Sequence, residues 1–296
     1  MEHIVLVTGA DGQLGTELRK AASASASHYI FTSHRPSVHG GTLLDINDMD
    51  TVTAVLQNCG ADVVINCAAY TDMDRAEGNP EEADLLNHIS VGNLAEAVRE
   101  CGAVLIHISS SAVFGGESPV PYREYDETGP RGVYGISKLA GERAVADSGC
   151  NYVIIRTCSM YSGKKDSSMV RMLSRLSEGR LVEASIDEVF SPTWARDLAE
   201  AIVDIIDTGK IDMQGLYHYA GTGLCSMYDF VMEIRRLSGI SCEVVPCRSE
   251  DHPARAHRPA FSALDSSLFR RAFGSDIPYW RDSLEKCIEE IRNTII

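Results

Sequence analysis

Ile4-Val5-Leu6-Val7-Thr8-Gly9-Ala10-Asp11-Gly12-Gln13-Leu14-Gly15 is the stretch that decides the fold. Its apolar run, rich in β-branched residues, reads as a strand buried on both faces of a parallel sheet. Glycines at every third position then follow, one residue looser than the Gly-x-Gly-x-x-Gly fingerprint of dinucleotide-binding units. Gly9 permits a tight turn, Gly12 lets a pyrophosphate approach the backbone, and Gly15 lets the next helix pack closely on the strand. Thr16-Glu17-Leu18-Arg19 continue as that helix, whose N-terminus offers free N–H groups and a positive dipole end to phosphates. A glycine trio alone is a tight turn. Between a first strand and a first helix it reads as a dinucleotide cradle of Gly9, Asp11, Gly12, Gln13, Leu14 and Gly15.

Outward from this unit the chain alternates. Strand-like runs fall at 29–33, 62–66, 104–108 and 152–156, with helix-like stretches at 15–26, 48–59, 81–101 and 134–147. Asn47 or Asp48 is suited to an N-cap, and Gly60, Gly102 and Gly149 to stops. Such alternation predicts right-handed crossovers and a doubly wound parallel sheet, an α/β fold of Rossmann type. After Arg156 the pattern loosens. Short runs at 216–220 and 242–245 and helices at 227–238 and 280–294 predict a smaller C-terminal substrate-binding lobe over the carboxyl edge of the sheet. The expected division is a cofactor-binding domain over 1–156, rejoined by segments at about 187–207, and a mainly substrate-binding lobe over 157–296.

Composition excludes several function classes. The chain has 296 residues, 44% of them hydrophobic, enough for one large core or two interlocked ones. Its 27 lysines and arginines face 42 acids, a net charge of −15, which argues against a nucleic-acid partner because phosphate binding needs a basic surface. No apolar run approaches the length of a membrane span, and Met1-Glu2-His3 leads straight into a strand without a signal peptide. The nine cysteines are scattered and include no Cys-x-x-Cys; Cys242 and Cys247 are the closest pair and have no histidine cluster to make a zinc site. Buried thiols in a reducing cytoplasm are expected, and no metal.

Two segments carry chemistry. Ser109-Ser110-Ser111 ends a strand, and Tyr134-Gly-Ile-Ser-Lys138 opens a helix. A phenol and an ammonium four apart on a helix share a face. The lysine charge is expected to lower the phenol's pKa towards a working range for proton transfer. With a serine hydroxyl to hold a carbonyl oxygen, the set can reduce a ketone beside a nicotinamide. Tyr161 and Lys165 repeat the spacing but flank Ser162-Gly163-Lys164, which reads as a loop. For the rest of a dinucleotide, the second strand ends in Ser33-His34-Arg35-Pro36, with no acid until Asp45. Arg35 is either a solvated loop residue or, with Ser33 or His34, a reader of the 2′-phosphate of NADP(H), with NAD(H) as an accepted second cofactor. Asp45, beside Ile46, suits the adenine amino group or a helix cap. The small residues of Cys67-Ala68-Ala69-Tyr70 leave room for ribose and diphosphate.

Together, the glycine loop, Asn66-Cys-Ala-Ala-Tyr-Thr-Asp-Met-Asp-Arg-Ala-Glu77, Ser109-Ser-Ser-Ala-Val-Phe114 and Tyr134-Gly-Ile-Ser-Lys-Leu-Ala-Gly-Glu142 resemble the extended short-chain dehydrogenases/reductases. Within that superfamily the chain most resembles the dTDP-4-dehydrorhamnose reductases. Phe190-Ser-Pro-Thr-Trp-Ala-Arg-Asp-Leu-Ala199, Gly215-Leu-Tyr-His-Tyr-Ala-Gly221, Arg258-Pro-Ala-Phe-Ser-Ala-Leu-Asp265 and Pro278-Tyr-Trp280 extend the likeness along nearly the whole chain. The resemblance implies NADPH-dependent reduction of the C4 ketone of a nucleotide-linked 6-deoxyhexose. Tyr134 would be the acid, Lys138 would hold the nicotinamide ribose, and Ser110 would fill a position usually held by threonine. Thr71, Met73, Ser111, Ala112, Ser159 and Arg258 would line the sugar and its diphosphate, and Arg156 is expected to be structural.

Departures from the family pattern bear on the substrate. Ser109-Ser-Ser-Ala-Val-Phe114 stands where the family usually reads Ser-Thr-Asp-Tyr-Val-Phe, so an acid and a tyrosine facing the substrate are missing. Ser159 stands where the family tends to place a tryptophan, which removes a stacking platform. The partner expected is a nucleotide sugar, with the protein a monomer or homodimer. The alternative reading is an NADP-binding regulatory subunit without catalysis. Epimerase or dehydratase chemistry is weaker, because a dehydratase would want added acids near Tyr134 and none is supplied.

Overall fold

Strand β1 (Ile4–Thr8) sits inside a seven-stranded sheet, and its neighbours explain its composition. The computed structural model describes residues 2–37, 40–251 and 256–295. The sheet further holds β2 (His28–Ser33), β3 (Thr42–Leu43), β4 (Val63–Asn66), β5 (Val104–Ser110), β6 (Asn151–Thr157) and β11 (Gly215–Tyr219). All pairings are parallel, in the order β11-β6-β5-β4-β1-β2-β3. Leu6 lies opposite Ile30 on one side and Val64 on the other. The order reverses between β1 and β4, and a ligand crevice opens outside the carboxyl ends of strands at such a switch.

Alternation along each strand builds two cores. Val5 and Val7 face α1 (Gln13–Ala21), α8 (Ala195–Asp207) and α10 (Ser267–Phe273), and are buried with Leu14, Leu18, Ile202, Ile206, Phe269 and Phe273. Leu6, Val64, Leu105 and Ile154 face the other way, against Val52 and Leu56 of α2 (Met49–Cys59) and Leu94 and Val98 of α5 (Ser90–Glu100). That side also carries α6 (Val133–Asp147). Asp48, rather than Asn47, caps α2 by accepting from the Thr51 N–H, and Gly60 closes the helix in the left-handed region.

A third apolar cluster lies around Trp280, Tyr161, Phe190 and Phe230. It gathers β7 (Met160–Tyr161), β8 (Val182–Ser185), β9 (Val189–Phe190), β10 (Thr193–Trp194), β12 (Cys225–Ser226) and β13 (Val244–Cys247). Helices α7 (Ser168–Ser177), α9 (Met227–Ser238) and α11 (Trp280–Ile295) cover it. Tyr161 ends a two-residue strand and is buried, so the Tyr161/Lys165 spacing does not fall on one helix.

Two expectations differ. The 216–220 run, read with the smaller lobe, joins the main sheet beside β6, with Tyr217 and Tyr219 packed against Phe269 and Phe273 of α10. The long helix expected over 81–101 is segmented. Helix α3 (Met73–Gly78) precedes it, Pro80 starts α4 (Pro80–Asp84), and a π-helical turn over Leu85–Ile89 leads into α5. A π turn inserts one residue into the helical register, which an apolar period of 3.6 conceals.

One buried ion pair ties α6 to the sheet. Arg156, on β6, donates from Nε and Nη2 to the two carboxylate oxygens of Glu142 at 2.8 and 2.7 Å. Ser109 Oγ donates to the same carboxylate at 2.5 Å, and the guanidinium lies 5.0 Å over the Phe114 ring. Arg156 is thus structural, as its place at a strand end suggests. Removing one partner leaves a buried charge uncompensated, so Arg156→Met should cost about 3–5 kcal/mol in denaturant unfolding. Combining it with Glu142→Gln should return part of that loss, whereas an unchanged midpoint for Arg156→Met would show the pair to be dispensable.

Candidate active site

The crevice at the switch point is floored by the glycine loop. Gly9 turns with φ +64°, and a Cβ there would lie 2.6 Å from the Ala68 nitrogen. The expected role of Gly15 shifts slightly: its close approach is to the loop itself, with a Cβ falling 2.5 Å from Ala10 Cα. No side chain caps α1, and its first turn holds no acid. By contrast Asp48, Asp72, Ser167 and Ser226 fill the N-caps of α2, α3, α7 and α9. The amides of Gln13, Leu14 and Gly15 are therefore left for an anion. Leu14 contributes only backbone, because its side chain is in the core. Ser37 Oγ donates to Asp11 at 2.5 Å and Ser162 Oγ to Gln13 Oε1 at 3.1 Å, so both loop side chains are held from outside.

Opposite this loop, Cys67, Ala68, Ala69 and Tyr70 follow β4, all half-buried. Asn87, fully buried in the π turn, brackets Tyr70: its Oδ1 accepts from the Tyr70 N–H at 2.8 Å and its Nδ2 donates to the Tyr70 carbonyl at 3.0 Å. The same Nδ2 donates to Ser137 Oγ on α6 at 3.0 Å. Nothing in the sequence spacing pointed to Asn87. Two glycines bring α6 onto this scaffold. A Cβ on Gly135 would lie 2.2 Å from the Ala112 carbonyl oxygen, and one on Gly141 would lie 2.1 Å from that of Asn87.

Helix α6 delivers Tyr134 and Lys138 to the carboxyl edge, where β5 delivers Ser110. Ser110 Oγ accepts from the Ala112 N–H at 3.1 Å, which leaves its own proton to donate. Burial pushes the Tyr134 phenol up, and its hydrogen bond with the Ser110 hydroxyl pulls it down. Lys138 is not among these influences, contrary to expectation. Its amine is engaged elsewhere, donating to the Ile108 carbonyl at 2.8 Å and lying 3.4 Å from His107 Nε2. Burial draws Lys138 down to about 8, against the opposing pulls of Glu142 and Cys67.

The outer residues divide. His34 and Arg35 are exposed beyond β2, and Ser33 Oγ is spent on the Arg35 carbonyl at 2.6 Å. Asp45 accepts from the Asn47 N–H at 3.0 Å in the turn before α2, whose cap is Asp48, and Ile46 is buried. On the sugar side Thr71 is exposed, Ala112 is half-buried and Ser111 is buried. Ser159, exposed beyond β6, has φ +41°, the one described non-glycine residue in the left-handed region. Met73 and Arg258 meet, with Arg258 Nη1 3.3 Å from the Met73 sulfur and Nη2 2.9 Å from Asp74. Asp74 also accepts from the Ala256 N–H at 2.8 Å, and Glu77 accepts from the Val133 N–H at 3.0 Å at the start of α6. Sequence reading missed both acids. Among the described residues, the Tyr70 hydroxyl and Arg258 Nε are buried without a hydrogen-bond partner, and no group of three His, Cys, Asp or Glu side chains is placed to hold a metal ion. The uncapped helix, the glycine cradle and the orphaned Tyr70 hydroxyl fit a dinucleotide.

The family described as RmlD substrate binding domain matches residues 2–293. The chain is 36% identical to the dTDP-4-dehydrorhamnose reductase of Mycolicibacterium smegmatis over 98% of its own length and 86% of that protein's. A solved dTDP-4-dehydrorhamnose reductase from Clostridium acetobutylicum superposes with a TM-score of 0.90 at 34% identity, covering 98% of this chain and 99% of that one. The Bacillus anthracis enzyme, solved in complex with NADP, also gives 0.90, at 31% identity over 98% and 100% of the two chains.

Because the missing side chain of Gly141 lets α6 press against the π turn, Gly141→Ala should push Asn87 away from Tyr70. An overpacked contact of this kind costs roughly 1–3 kcal/mol. A lower Tm and a dinucleotide affinity weakened about tenfold are expected from calorimetry, while Gly129→Ala, whose Cβ would meet open space, should change neither.

Proposed function

The chain belongs to the RmlD substrate binding domain family, and from that membership and the site we infer that it is an NADPH-dependent ketoreductase. Its substrate is dTDP-4-dehydrorhamnose, reduced at C4 to dTDP-L-rhamnose, or a close relative of that sugar. The observation that carries this reading is the gathering of Ser110 at the end of β5 with Tyr134 and Lys138 of α6, beside an uncapped glycine cradle.

When bound, NADPH supplies the hydride that the ketone carbon receives. Gly9, Gly12 and the amides of Gln13, Leu14 and Gly15 hold its diphosphate, and Cys67, Ala68, Ala69 and Tyr70 pack beside it. Arg35, with His34, meets the 2′-phosphate; the absence of an acid at the end of β2 supports NADP(H) over NAD(H). Lys138 holds the ribose. The Ser110 hydroxyl donates to the ketone oxygen, and Tyr134 gives that oxygen its proton as charge develops. Burial keeps the phenol protonated at neutral pH, which suits an acid rather than a base.

Thr71, Met73, Ser111, Ala112, Ser159 and Arg258 form the sugar and diphosphate side. Ala112 and Ser159 leave more room there than the bulkier residues usual in the family, which supports a larger or differently substituted hexose. A guanidinium suits the diphosphate. All nine cysteines are free, which supports a reducing compartment, the cytoplasm, with the protein acting as monomer or homodimer. A regulatory subunit has no physical need of a serine, a buried phenol and a lysine gathered beside the cradle, so that alternative is not favoured.

Two outcomes follow. Tyr134→Phe should bind NADPH as before and lose about 10²–10⁴ of kcat, followed by loss of reduced-nicotinamide absorbance with dTDP-4-dehydrorhamnose. Near-normal turnover would assign the acid elsewhere. Arg35→Ala should narrow the preference for NADPH over NADH, modestly because an exposed charge is screened; equal affinities in the unmodified protein would remove Arg35 from the site.

A further inference from the structure

His107 lies on β5 three residues before Ser110, fully buried, and touches Lys138 without entering the chemistry above. Its Nδ1 is 3.2 Å from Asn66 Nδ2, and its Nε2 is 3.4 Å from Lys138 Nζ. Asn66 has only one way round. Its Oδ1 accepts from the Ala68 N–H at 3.2 Å and from Thr8 Oγ1 at 2.7 Å, and a backbone N–H can only donate. Nδ2 therefore donates to His107, whose Nδ1 must be the bare nitrogen. In a neutral imidazole the proton then sits on Nε2. Burial and the Lys138 charge hold His107 well below the usual histidine range, so the ring stays neutral. Its Nε2–H points at Lys138. Such an N–H opposes an ammonium but donates to the lone pair of an uncharged amine, whose own hydrogens can still reach the Ile108 carbonyl.

We propose that His107 is a positioning residue: locked by Asn66 and Thr8 in one tautomer, it holds an N–H against the Lys138 amine and favours its uncharged form. The other groups facing Lys138 can be sorted by element. From α6, Glu142 favours the ammonium, but its carboxylate already serves Arg156 and Ser109; Tyr134 is neutral. From the loop after β4, the Cys67 thiol is pushed up to about 12 by burial and carries no charge at neutral pH. From β5 come the Ile108 carbonyl and His107. Burial and the His107 N–H are left acting together.

The full protein with lysine labelled at 13Cε offers six resonances, from Lys20, Lys138, Lys164, Lys165, Lys210 and Lys286. The one missing in Lys138→Arg should titrate near 8, below the ordinary lysine value of about 10.4. His107→Leu should raise that midpoint by about one pH unit. His107→Gln, whose amide N–H reaches the Nε2 position, should restore it. His107→Asn keeps an acceptor for Asn66 but falls short of Lys138, so it should behave like His107→Leu even where the apolar variant folds poorly. The proposal is overturned if Lys138 titrates at the ordinary lysine value of about 10.4 in the unmodified protein, or if its midpoint is the same in His107→Asn as with His107. A midpoint that moves in a protein inactive on every ketosugar nucleotide would uphold the role of His107 and sink the reductase reading instead.

Discussion

Backbone presses on backbone at glycines around the carboxyl edge of the sheet, and the site depends on those approaches. Gly9 lies on the Cys67–Ala68 peptide, Gly15 on Ala10, Gly135 on the Ala112 carbonyl and Gly141 on the Asn87 carbonyl. Each is closer than any side chain permits, so each fixes two segments with little freedom to drift. Gly9 and Gly15 shape the loop that leads into α1. Gly135 and Gly141 set the height of α6, and with it the positions of Tyr134 and Lys138 relative to Ser110. The hydrogen bonds at the site, including Asn87 to Tyr70 and Ser137, are short because these approaches bring their partners within reach.

Most of the parallel sheet was legible because buried parallel strands are continuous apolar runs. Val63-Val64-Ile65 and Val153-Ile154-Ile155 leave little else to choose. Strand β11 was readable as a strand but not as a member of that sheet: pairing is a long-range property, and the helix that covers it, α10, is too short for a clear period. The π turn was hidden because it carries no residue signature. Its loss hid Asn87 too, since the residue's function comes from where the extra turn points it.

At the candidate site, residues whose placement is set by local spacing were legible, and those placed by distant contacts were not. Tyr134 and Lys138 share a helix face whatever the rest of the chain does. Their electrostatics are not local. Lys138 was expected to act on the phenol, but a buried amine with a carbonyl and an imidazole within reach is claimed by them first. Asp74, Glu77 and His107 were invisible for the same reason: each matters through a partner between 31 and 184 residues away.

Arg258 offers a last consequence. Its guanidinium is already paired with Asp74, and both side chains are partly open to solvent, at 27% and 50% of their free exposure. In the reading in which Arg258 meets a diphosphate, arrival of the ligand exchanges one anion for another instead of creating a new pair. Dissolved salt weakens the internal pair and the incoming one together, because ions screen exposed charges alike. Ligand affinity should therefore vary less steeply with ionic strength than the ligand's own charge implies, a form of buffering built from a single competing carboxylate.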